Sequence, residues 1–124
     1  MTDLPIPSWL NDEELYEEQV TPALTRLGSF SRSCAQAKGF WDKERNDAEM
    51  ICLMHSELSE ALEALRKDKA DDHLIFRPGV EVEMADCVIR ILDYCYSRDL
   101  DLAGAIREKM LYNANRPYKH GKNF

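Results

Sequence analysis

Apolar residues recur at helical spacing over most of the chain, and strand-type alternation appears only weakly, around residues 74–82. Thr21 before Pro22 reads as an N-cap with proline at the first helical position, and Gly39 reads as a stop, so a helix is predicted over residues 21–38. Asn46 and Glu49 stand at capping-box spacing ahead of Ile51, Met54, Leu58, Ala61, Leu62 and Leu65. They predict a second helix of about six turns that ends in the charged run Arg66-Lys67-Asp68-Lys69. A connection over residues 69–77, punctuated by Pro78-Gly79, leads to a third helix over residues 80–97. Asp99 or Asp101 caps a fourth, which runs to residue 115 and is stopped by Pro117. Pro5 and Pro7 mark the leading segment as an arm with one short helix, dividing the chain into an N-terminal arm, residues 1–20, and one domain, residues 21–124. The pattern predicts an all-α fold, a four-helix bundle.

The third helix carries two unequal faces. At about 100° per residue, Glu83, Asp86, Arg90, Asp93 and Ser97 share a stripe about 80° wide. Met84, Ala85, Cys87, Val88, Ile89, Ile91, Leu92 and Cys95 cover most of the remaining circumference. A helix so apolar packs on several sides, and four helices in one chain of 124 residues do not supply enough neighbours. Self-association supplies them, so at least a dimer is expected.

Charge narrows the range of partners. The chain holds 16 Lys and Arg against 23 Asp and Glu, a net charge of −7 and a pI near 4.9, which opposes non-specific binding to a nucleic-acid polymer. The imbalance is uneven: residues 109–124 contain Lys109, Arg116, Lys119 and Lys122 and no acid. Cys34, Cys52, Cys87 and Cys95 lie in helical stretches without a C-x-x-C pair, which suits reduced core thiols better than zinc ligands or a disulfide framework. The first ten residues lack the basic and apolar regions of an export signal, and no run approaches ~18 apolar residues. A cytoplasmic protein with no membrane partner is expected.

Glu57 and Glu60 lie three apart on the second helix, and Glu83 and Asp86 lie three apart on the third, so each pair projects from one helical face. Two facing pairs form a cage of hard oxygen ligands whose mutual repulsion calls for a cation, with Mg²⁺ favoured and Mn²⁺ as a substitute. In a chain with 23 acids such short pairs also arise by chance. The polar stripe of the third helix reads equally as a solvent face, with Arg90 neutralising Asp86 or Asp93. No Glu-x-x-His and no EF-hand loop is present, which sets aside di-iron and calcium-loop chemistry. Lys109, Asn113 and Arg116 share one face of the last helix, with Lys122 beyond it, a set suited to a phosphate chain or to the macrodipole at a helix C-terminus. Trp41, after Phe40, suits either stacking on a nucleobase or packing of the first helix on the second.

Taken in order, Glu57-Leu-Ser-Glu60, a gap of 22 residues, Glu83-Met-Ala-Asp86, and then Lys109, Asn113, Arg116-Pro-Tyr-Lys-His-Gly-Lys122 form a longer signature. It resembles the MazG-like branch of the all-α nucleoside triphosphate pyrophosphohydrolases, over residues 39–122, about two-thirds of the chain. Only one copy of the motif is present, as in the short stand-alone members. The resemblance implies Mg²⁺-dependent hydrolysis of a (deoxy)nucleoside triphosphate to monophosphate and pyrophosphate by a helical bundle that assembles as a dimer or a dimer of dimers. It implies Glu57, Glu60, Glu83 and Asp86 as metal ligands; in such a hydrolysis a carboxylate not fully engaged with metal takes the proton of water, and Glu57 or Glu60 are the candidates. Lys109, Asn113 and Arg116 fall to the phosphate and sugar, and Lys122 and Trp41 join them on the substrate side. Two rivals stand beside it: an acidic helical adaptor without catalysis, and a pyrophosphatase acting on a phosphoribosyl nucleotide.

Overall fold

The computed structural model describes residues 5–124, so residues 1–4 of the arm lie outside the described residues. The described chain forms six α-helices: α1 (Ser8–Asn11), α2 (Glu13–Gln19), α3 (Thr21–Ala37), α4 (Asp47–Arg66), α5 (Gly79–Ser97) and α6 (Leu102–Ala114). A 3₁₀ turn follows at Tyr118–Gly121, and the only β pairing among the described residues is an isolated bridge between Ala70 and Pro78. The fold is all-α. Four long helices stand where the apolar spacing places them, but the arm holds two short helices in place of one. Asp12 makes the difference, because its side chain accepts from Leu15 N at 3.2 Å and restarts the helix after α1. Thr21 is the first residue of α3 and not its N-cap, since Val20 stays in the helical region and carries α2 into α3. The weak alternation at residues 74–82 makes no strand.

Local signals set most of the ends. Asn46 Oδ1 accepts from Glu49 N at 3.1 Å to open α4, and Asp101 Oδ1 accepts from Gly104 N at 2.9 Å to open α6. After α3, Gly39 takes φ +89°, with Gly39 N bonded to Gln36 O and Phe40 N to Ala35 O. That pair of bonds is the Schellman closure, which glycine adopts without strain.

The chain divides into two compact units, one of Met1–Arg26 with Leu100–Phe124 and one of Leu27–Asp99. In the first unit, Leu10, Tyr16 and Ala103 form a core with Ile6, Val20, Leu24 and Leu111 packed around it. Its one buried hydroxyl is satisfied: Tyr16 Oη donates to Ala103 O at 2.7 Å. Arg107 donates to the carbonyls of Leu10 and Asn11 at 2.9 and 3.0 Å, capping the end of α1.

In the second unit α4 packs against α5 through small and polar residues. The buried positions are Met50, Glu57, Ala61 and Ala64 on α4 and Gly79, Cys87, Leu92 and Asp93 on α5. The Cys87 thiol donates to Met54 O, and Gly28 brings α3 against Tyr96 and Leu92 of α5. Most of the apolar stripe read on α4 therefore faces outward, Ala61 excepted: Ile51, Leu58, Leu62 and Leu65 are 42–60% exposed, and Met84, Val88 and Ile89 of α5 about half exposed. Helical spacing defines an apolar face without saying which helix covers it, and here the polar stripe took the intrachain contact. The same inversion corrects the expectation of core cysteines. All four are free thiols, but Cys34 and Cys52 are exposed and only Cys87 is buried.

Candidate metal centre

The connection between α4 and α5 returns almost to where it leaves. Lys69 N donates to Ala64 O, Asp71 N to Arg77 O and Gly79 N to Lys69 O, each at 3.0 Å. Asp71 Oδ2 accepts from the backbone N–H groups of His73 and Leu74, tightening the turn. A Cβ on Gly79 would stand 2.9 Å from both Ala64 Cβ and Lys69 O, so the closure requires glycine. This clamp sets the register in which the acids of α4 meet those of α5.

In that register, carboxylate oxygens of Glu57, Glu60 and Glu83 lie within 4.8 Å of one another. Glu57 is buried, Glu83 half-buried and Glu60 exposed. Asp86 lines the same cleft, of about 580 Å³, without joining the close triad. Arg90 pairs with neither Asp86 nor Asp93, the partners expected on its own helix; its Nε donates across the hairpin to Glu57 Oε1 at 2.8 Å. Glu57 Oε2 and Glu83 Oε2 are buried without a hydrogen-bond donor. Such acceptors are costly to bury as charges, and a hard divalent cation satisfies two of them together. The donor set fits Mg²⁺ or Mn²⁺.

Crowding shows in the proton affinities. Burial, then the adjoining carboxyls of Glu57 and Glu60, push Glu83 up to about 7. Burial works to raise Glu57 as well, but the hydrogen bond from Arg90 and contacts with Glu83 and Glu60 hold it below its ordinary value. Asp86 is raised by burial and by the charge of Glu57, against the pull of Arg90. Glu57 and Glu83 are thus pushed in opposite directions within one small space.

Lys67, Lys69 and His73 also line the cleft. Sequence reading missed them, because the run after α4 looked like a helix end and only the folded-back connection brings it to the rim. Each lysine has a local acid, Lys67 with Glu63 at 3.0 Å and Lys69 with Asp72 at 3.1 Å.

The remaining candidates lie elsewhere along the chain. Trp41 belongs to the second unit, where its Nε1 donates to Asp93 at 3.2 Å and the Arg32 guanidinium lies 3.8 Å from its ring centroid. The indole is engaged along its N–H edge and over one face, as packing requires. Lys109, Asn113, Arg116 and Lys122 belong to the first unit. Lys109 and Arg116 both approach the Tyr112 ring, at 4.7 and 5.6 Å from its centroid. Arg116 lies beyond the end of α6, not within its last turn, because the helix closes at Ala114 with Asn115 as C-cap. Asn113 Oδ1 is buried without a partner, and Lys122 is exposed.

A comparison of the chain with protein-family models, with curated proteins and with solved structures finds no match in any of the three. No helix among the described residues is long and apolar enough to cross a membrane.

Proposed function

We propose that the chain is a Mg²⁺-dependent nucleoside triphosphate pyrophosphohydrolase of the MazG-like kind, converting a (d)NTP and water to (d)NMP and pyrophosphate. The observation that carries this reading is the convergence of Glu57, Glu60 and Glu83, with two buried carboxylate oxygens left without donors. Mg²⁺, when bound, supplies positive charge against the phosphate oxygens and a more acidic water. Water attacks the α-phosphorus, the bond to the bridging oxygen breaks, and pyrophosphate leaves with that electron pair. Glu60 is the better placed of the two candidate bases, since it is exposed to the cleft while Glu57 is tied to Arg90. Lys109, Asn113, Arg116 and Lys122 are assigned to the phosphate chain and sugar, as donors matched to an anion. Trp41 is reassigned from stacking to holding the residue 38–46 connection in place.

The test is a panel of nucleotides incubated with Mg²⁺ and with EDTA, resolving monophosphate plus pyrophosphate from diphosphate plus phosphate. Glu60→Ala is expected to lower pyrophosphate release by about a thousandfold in a chain that keeps its helical signal, equivalent to about 4 kcal/mol of barrier. No turnover of any nucleotide by the unaltered chain overturns the assignment in favour of an adaptor.

The outward stripes of α4 and α5 support assembly as a homodimer or homotetramer. An apolar groove of about 530 Å³ between α3 and α5, lined by Leu27, Phe30, Met84, Val88 and Ile89 among others, adds to the apolar surface to be covered. Light scattering is expected to give a multiple of 14.3 kDa that falls toward the single chain on Val88→Glu. A monomer at micromolar concentration before substitution refutes the assembly.

A further inference from the structure

Arg90 stands one turn beyond Asp86 on α5, yet its guanidinium serves α4. Its Nε meets Glu57 Oε1 at 2.8 Å, in a pair whose Glu57 side chain is 8% exposed and whose Arg90 side chain is 33% exposed. Among the described residues Arg90 donates to no other group, and the alternative acceptor one turn further along α5, Asp93, is already taken by Trp41, Arg45 and Ser97. Glu57 therefore has one oxygen committed to a planar donor and one, Oε2, buried and uncommitted.

We infer that Arg90 is a positioning residue, holding Glu57 in the orientation that leaves Oε2 free for a divalent cation shared with Glu60 and Glu83. The inference rests on the metal-dependent reading above. A glutamate carboxyl turns freely about its last torsion, so either oxygen can face a ligand unless something distinguishes them. A hydrogen bond from a rigid, planar guanidinium distinguishes them, whereas an ammonium is a rotatable point charge that does not fix the plane. Charge alone gives the opposite expectation. A cation this close to a metal site repels the metal, so a mere neutraliser would weaken binding, and its removal would strengthen it.

The sign of the effect is the test. The metal-free, full-length chain is titrated with Mn²⁺ alone and the free ion is counted by electron paramagnetic resonance, a readout that needs no substrate. Arg90→Met and Arg90→Lys are both expected to bind Mn²⁺ roughly 10- to 100-fold more weakly than the unaltered chain. Binding that is unchanged or tighter in Arg90→Met, or equal to the unaltered chain in Arg90→Lys, overturns the inference. Should Arg90→Met lose its helical circular dichroism, Arg90→Lys, which keeps the stem and the charge, decides alone. An unaltered chain that binds no Mn²⁺ overturns the metal reading and this one with it; normal binding with insensitive variants overturns only this one.

Discussion

Two carboxylates, Asp93 and Glu57, are buried to nearly the same degree in the second unit, 5% and 6% exposed, yet they are treated differently. Asp93 is saturated: the Trp41 indole N–H, the Ser97 hydroxyl and the Arg45 guanidinium all donate to it. Glu57 has a donor for one oxygen only; the other is buried without one, in a carboxylate grouped with two further acids. The first arrangement is what a charge needs in order to be part of a scaffold. The second is incomplete by the same standard. Burial of an acid does not in itself mark a functional group; an acceptor left buried and open is the more discriminating sign.

Substitution at each acid tests that contrast. Asp93→Ala leaves the indole N–H and Arg45 without their acceptor and is expected to cost about 3–5 kcal/mol of stability, seen as a large fall in melting temperature. Cation affinity should survive it in whatever fraction remains folded. A smaller effect concerns pH. In the folded chain Glu83 keeps its proton up to about 7, against 4.5 for its ordinary value. Unfolding between those values releases a proton, so the metal-free chain loses stability as pH rises from about 4.5 to about 7 and levels off above. Glu57, held low, acts with the opposite sign and only in more acid solution. Glu83→Gln should remove the slope, raising the melting temperature at pH 8 by about 4 °C, and a slope that persists in that variant would locate its origin elsewhere. The smallest change is expected for Glu57→Gln, within about 1 kcal/mol in the same melts, because relief of crowding offsets the loss of charge opposite Arg90, whose hydrogen bond a carboxamide oxygen still accepts. A loss as large as that of Asp93→Ala would erase the contrast.

The sequence revealed the helices more fully than it did their faces. Asn46, Asp101 and Gly39 act within a few residues of themselves, so their caps and closures were legible from spacing alone. The four acids were legible too, because three-residue spacing places each pair on one side of its helix. What spacing does not carry is the partner of each side. Ile51, Leu58, Leu62 and Leu65 announce a face to be covered, and the structure leaves it outward. Arg90 had two acids within reach on its own helix, Asp86 and Asp93, and the one it takes is 33 residues back, across a register set by Gly79. Lys67, Lys69 and His73 were invisible for the same reason, since they reach the cleft only once the connection has turned back.

That connection has a further consequence for how such a site changes over time. Because Gly79 N meets Lys69 O, the residues between them form a closed handle whose two ends are tied together at the base. Alteration of the handle leaves the spacing between the two helices untouched, so long as the tie and its glycine remain. The floor of the cleft, with its acids, and the part of the rim that the handle carries, with His73, are thus separable inheritances. New preferences for what enters can be tried at the rim while the chemistry below is passed on intact.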